Sequence, residues 1–210
     1  MLTVNTVHRD QKISKFRVWS EQKHFDIYIT DKKMTTESNF KVENCVMDDI
    51  NSILSLYEEA RSLQTQKAMV VWPVFEKKFI EKEVKELRQW KLVIDNTIAC
   101  NWAVTFDDKD IWGVREKNDA IYIHRIATNP AFRGNRFVDK IVEWAKQYAL
   151  QMNKQYIRLD TLGNNTGLIK HYTSAGFKFL GMFELADTSN LPGHYQKEPH
   201  CCLFEIDLDN

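Results

Sequence analysis

The sequence predicts an α/β (α+β) fold around a mixed sheet. From residue 40 onward, strand-like alternation and helical periodicity are interleaved along the chain, with no internal repeat or low-complexity tract. At 210 residues the length suits one domain with a substantial core. Lys+Arg and Asp+Glu are equal at 29 each, so no global field recruits nucleic acid or an anionic membrane, and any anion site must be local. The longest apolar runs, such as "AMVVWPVF" at 68–75, fall far short of the ~20 residues that span a bilayer.

The elements follow in order. "FRVWS" and "HFDIYIT" have strand composition but lead into the polar "DKKMTTESN", so residues 1–39 are expected to be an N-terminal extension to a domain at 40–210. Two readings of it stand: translation starting at Met34, or a short β-arm that adds to the domain or to a partner. "FKVENCV" alternates as a strand, and "DDINSILSLYEEARSLQ" is a helix capped by Asp48 or Asp49, with Ile50, Ile53, Leu54 and Tyr57 on one face. "FEKKFIEKEVKELRQW" repeats the helical period, with Phe79, Val84 and Leu87 near one stripe and its lysines and glutamates forming a solvated face.

"KLVIDNTIACNWAVTF" reads as a hairpin turning at "DN". In the strand "AIYIHRIAT", simple alternation separates Tyr122, His124 and Ile126 from Ile123, Arg125 and Ala127. A helix beginning after "NPAFRGNR", the strand "YIRLDTL", the helix "TGLIKHYTSA" stopped by Gly176, and the strands "FKFLGMFELA" and "CCLFEIDL" complete the pattern. Cys45, Cys100, Cys201 and Cys202 show no C-x-x-C spacing, which predicts reduced, buried thiols and no metal site. The first residues lack a signal-peptide core and cleavage site, and a cytoplasmic location is expected.

The turn at Arg133–Gly134 opens a helix, and the N–H groups of Asn135, Arg136, Phe137 and Val138 then have no helical partners. The helix dipole and the arginines at 133 and 136 add positive charge, an environment that suits a pyrophosphate. No Gly-Lys-Ser/Thr follows, so this is not a kinase-type phosphate loop.

Downstream, "NNTGLIKHYTSAGFKFLG" places Asn165, then Tyr172, then Gly176-Phe177. Together with "IHRIATNPAFRG", this resembles the GNAT N-acetyltransferase superfamily, over about 120–181 for the motifs and 40–208 for the elements. The resemblance implies a mostly antiparallel central sheet flanked by helices, with the cofactor cleft between the two central strands. It implies acetyl-CoA as cosubstrate, no metal, and direct attack of an amine on the acetyl thioester. Where the family's R/Q-x-x-G-x-G/A loop has glycines, this chain has Arg136 and Val138. Arg136 could contact phosphate in their place.

Carried over residue by residue, the resemblance makes Tyr172 the general acid and Asn165 a cofactor-binding residue. Backbone N–H groups of Ile126, Ala127 and Thr128 become the donors to the oxyanion and the pantetheine arm. His124 matches a position where some members hold a histidine acting as base through water; a packed strand histidine is the competing reading. Asp160 and His171 rank below it. For the acceptor, Trp72, Trp102, His194 and Tyr195 are the expected walls, although 194–195 also read as a plain exposed turn. Asp107, Asp108 and Asp110 could attract a cationic amine or simply make a turn.

The expected activity is transfer of an acetyl group to a small-molecule or peptide primary amine, without nucleic-acid or membrane partners and with a homodimer left open. The competing expectation is a non-catalytic acyl-CoA-binding or sensing domain of the same fold.

Overall fold

The computed structural model describes residues 40–209; the expected extension at 1–39, with Met34, lies outside them. The described residues form a seven-stranded sheet, mostly antiparallel, in the order β1-β2-β3-β4-β5-β7-β6. β1 (Phe40–Asn44) is followed by α1 (Ile50–Gln66) and α2 (Lys77–Lys85), and then the chain pairs β2 (Gln89–Ile94) against β1. β3 (Thr97–Thr105) returns through Asp95 and Asn96, whose φ values of +47° and +59° supply the left-handed pair that a tight hairpin needs. After the single turn α3 (Lys109–Trp112) comes β4 (Ala120–Thr128).

The crossover helix α4 (Phe137–Gln151) leads to β5 (Tyr156–Leu162), which pairs in parallel with β4. α5 (Thr166–Ser174), β6 (Lys178–Glu184), α6 (Gly193–Lys197) and β7 (His200–Asp207) finish the fold, with β7 inserted between β5 and β6.

One face of the sheet buries α4. Trp144 packs against Trp90 at 4.6 Å and Trp102 at 5.0 Å between ring centroids, and all three are fully buried. Such aromatic pairs contribute about 0.5–1.5 kcal/mol each beyond their area. Trp102 is therefore a core residue, and its expected role as an acceptor wall is corrected. Ile53, Leu56 and Tyr57 of α1 and Ile80 and Val84 of α2 cover the other face near Ala127.

α2 departs from its sequence reading. It ends at Lys85, Leu87 lies beyond it at φ +56°, and Phe79 is exposed. Its buried face is Ile80, Glu83 and Val84, so Glu83 is no part of a solvated face.

The four cysteines are buried and unbridged, with Cys201 and Cys202 in clusters on opposite faces of the sheet. No helix of the described residues is long and apolar enough to cross a membrane.

Candidate active site

Parallel pairing between β4 and β5 is confined to Ala120–Tyr122 against Tyr156–Arg158. Beyond that point the strands part, and a cleft of about 1060 Å³ is lined by His124–Thr128 of β4 and Leu159–Leu162 of β5. The N–H of Asn129 donates to Ala99 O on the β3 side. Strand alternation therefore turns the N–H of Ala127 toward β3 and that of Thr128 toward the open side. Of the expected backbone donors, Thr128 faces the cleft and Ala127 does not.

One end of the cleft is the turn into α4. Gly134 adopts φ +91°, and Arg136, the N-cap of α4, adopts φ +52°, ψ +42°. Glycine takes such a conformation freely and arginine only with strain, a physical reason for a glycine at that place. Among the described residues nothing accepts from the N–H of Asn135, Arg136, Phe137 or Val138, so the turn offers donors to an anion. Arg136 Nε donates to Asp139 Oδ2 at 2.5 Å on the exposed surface. Arg133 lines the cleft without an ion pair among the described residues. Val138 packs into the core beside Phe137. Asn165 caps α5, its Oδ1 accepting from the Leu168 N–H at 3.0 Å, and it is not among the residues that line the cleft.

In the middle, β4 carries a bulge. Asn101 pairs with Ala127 and Ala103 with His124, so Arg125 and Ile126 together oppose Trp102, with Arg125 at φ +52°. The extra residue shifts the parity of the strand. Ile126 packs with Ile121 and Ile123, while Arg125 turns to the α1–α2 face, correcting the simple alternation. Arg125 Nη2 donates to both Glu83 oxygens, at 2.6 and 2.7 Å, and its guanidinium lies over Phe75 and Phe79. Arg88 and Gln89 also donate to Glu83, each at 2.8 Å. Strained backbone of this kind persists only where its surroundings fix it, and here a buried ion pair does so.

His124 lines the cleft, and its Nε2 lies 2.9 Å from Thr105 Oγ1. Thr105 gives its own proton to Asp107 O, so Nε2–H is the donor and Nδ1 keeps its lone pair. Burial, then Arg125 and Arg88, hold the imidazole pKa down to about 3. Tyr172 also lines the cleft, its ring against Phe204 and Phe177, and burial, followed by Asp160 and Cys100, raises its hydroxyl above the usual range.

The far end is acidic. Asp108, His124 and Asp160 each place one ligand atom within 4.8 Å of the others. Burial and then Asp160 raise the Asp108 carboxyl to about 8; burial raises Asp160 to about 6 against the opposing hydrogen bond from Tyr195. Asp108 is thus more than turn chemistry, as its sequence context had left open. His194 and Tyr195 sit on α6 and line the cleft, so this segment is not a plain exposed turn; the Tyr195 hydroxyl donates to Asp160 at 3.2 Å. Trp72 lines the cleft as expected, with Phe75 and the exposed edge of His171.

Sequence reasoning missed Arg125 and Glu83. Glu83 was findable, since it falls at i+3 from Ile80 on the buried face.

The model of the Acetyltransferase (GNAT) family matches residues 70–177, just over half of the chain. A Bacillus subtilis protein named Uncharacterized N-acetyltransferase YesJ is 30% identical over 74 residues, which cover 35% of this chain and 41% of that protein. The chain thus spans about two fifths of that relative. A GNAT-family acetyltransferase from Listeria monocytogenes superposes with a TM-score of 0.65 at 20% identity, covering 84% of this chain and 99% of that one. The yncA protein of Salmonella typhimurium, a putative acetyltransferase with its cofactor acetyl-CoA, gives 0.57 at 13% identity, covering 81% and 95%. At these identities the structures speak to fold.

Proposed function

Because the chain belongs to the GNAT acetyltransferase family, we propose that residues 40–210 transfer an acetyl group from acetyl-CoA to a primary amine by direct attack. The observation that carries this reading is one cleft with unpaired N–H donors at one end and Tyr172 within it. Acetyl-CoA, when bound, supplies an activated acetyl thioester. The loop N–H groups of Asn135–Val138 and the guanidinium of Arg133 are suited to its pyrophosphate. The Thr128 N–H, on the open edge of β4, is suited to donate to acetyl-CoA as well.

Tyr172 keeps its proton at neutral pH, because burial raises its hydroxyl pKa; it is suited to protonating the departing sulfur. His124, neutral for the reasons above, can accept a hydrogen bond from the amine through Nδ1. It is too weak a base to retain the proton, so it orients the amine and passes the proton on.

A sensing domain draws support from Arg136, whose guanidinium pairs with Asp139 on the exposed surface. A thiol-release assay with acetyl-CoA and a panel of primary amines separates the two. Turnover that falls about 100-fold in Tyr172→Phe supports the enzyme. Acetyl-CoA binding without thiol release across the panel supports the sensor, and no acetyl-CoA binding defeats both.

A further inference from the structure

Asp108 and Asp160 lie outside the steps above, yet they are the least comfortable groups in the cleft. They come from separate elements, the turn that begins α3 and the strand β5, and with His124 they converge to within 4.8 Å. Asp108 Oδ2 is fully buried and has no hydrogen-bond partner among the described residues, and the same holds for His194 Nδ1. Among the described residues, no lysine or arginine forms an ion pair with either carboxylate. Two half-buried carboxylates this close resist ionising together, so they hold a shared proton or receive a cation. Among the described residues none provides that cation, and the carboxylates line a cleft.

We propose that Asp108 and Asp160 form the acceptor subsite, which binds the ammonium of a primary amine with an apolar body and takes its first proton. This rests on the acetyltransferase reading and names its substrate class. Ile111, Leu191 and Tyr195 pack in one cluster beside the carboxylates, and Trp72 and Phe75 line the same cleft, so the amine's carbon chain meets apolar surface. An amino acid would bring its own carboxylate against the pair and is disfavoured. The ammonium gives up two N–H protons in all. One passes by way of His124 to a carboxylate oxygen and on to solvent. The second leaves the nitrogen as the new C–N bond forms and the C–S bond breaks; it restores the hydroxyl of Tyr172, whose own proton goes to the departing sulfur.

Ammonium affinity then rises with pH as the shared proton leaves. The charged groups acting on the pair are Asp107, Asp110 and Glu116 from its own turn region, and His124 of β4 faces it as a neutral imidazole. Tyr195 of α6, Tyr172 of α5 and Cys201 of β7 face it as neutral groups at neutral pH.

Calorimetry on the chain without acetyl-CoA tests the site, using hexylamine against hexanol. Hexylamine is expected to bind with release of about one proton at pH 7, read from heats in buffers of different ionisation enthalpy. Hexanol is expected to bind about 100-fold more weakly. Asp108→Asn and Asp160→Asn should each lose that preference while acetyl-CoA affinity is unchanged, which also shows that both variants fold. Equal binding of hexanol, hexylamine binding undiminished in both variants, or no hexylamine binding overturns the proposal. So does saturable Mg²⁺ or Zn²⁺ binding that both variants lose. Hexylamine bound with proton release but never acetylated leaves the subsite standing and removes the acetyltransferase reading instead.

Discussion

At the Arg133–Val138 end of the cleft the arginines stand in water, whereas at the other end Asp108 and Asp160 are half-buried against each other. Arg136 pairs with Asp139 where solvent screens both. Asp108 faces Asp160 where little screens either. The difference teaches where binding and folding are separable. Exposed guanidiniums and loop N–H groups can be altered with consequences for an anion alone. The half-buried carboxylates, and the buried Glu83–Arg125 pair, tie recognition to stability and to pH.

The largest expected effect breaks the buried side. Arg125→Ala removes the guanidinium that meets both oxygens of Glu83, whose side chain is 1% exposed. Breaking one partner of such a pair costs about 3–5 kcal/mol, measurable by urea unfolding, with the Phe75–Phe79 wall loosened as well. A loss well under ~1 kcal/mol would mean that Arg88 and Gln89 hold Glu83 without it.

Next comes Tyr172→Phe, expected to lower kcat about 100-fold with acetyl-CoA affinity retained. An amine accepted equally well by the variant argues against Tyr172 as the acid.

Stability against pH sharpens the contrast further, with opposite signs for two neighbours. The folded pKa of Asp108 is raised from 3.8 to about 8, so the folded state holds a proton that the unfolded state releases. Stability from this group is full below 3.8 and is lost as pH rises toward 8. His124 is depressed from 6.5 to about 3, so its contribution is present above 6.5 and is lost as pH falls toward 3. Thermal midpoints across pH 3–9 should show Asp108→Asn flattening the alkaline decline and His124→Gln flattening the acid one.

The smallest effect lies at the exposed end. Arg136→Gly relieves the left-handed backbone at φ +52° and should raise the thermal midpoint slightly without weakening acetyl-CoA binding. Weaker binding would instead place the guanidinium on a phosphate.

Much of the fold was legible because local chemistry sets it. "DN" supplied the positive-φ hairpin between β2 and β3, and the turn at Arg133–Gly134 opened α4 as expected. Tyr172 reached the cleft for the same reason: α5 starts at its cap Asn165 and holds a regular period. What stayed hidden depends on long-range pairing. One inserted residue at Arg125 reversed the strand's parity, and alternation alone carries no mark of it. Trp102 could have faced either side of β3 until α4 brought Trp144 against it. Asp108 reads as a turn residue in sequence; only the approach of Asp160 and α6 encloses it.

The contrast between the two ends is tested most directly by thiol-release kinetics with acetyl-CoA and hexylamine both varied, on Arg133→Ala and Asp160→Asn. The expected result is a divided one: Arg133→Ala raises KM for acetyl-CoA alone, and Asp160→Asn lowers kcat/KM for hexylamine about 100-fold with KM for acetyl-CoA unchanged. Both substitutions moving the same constant would contradict a cleft with an anion-binding end and a separate ammonium-binding end.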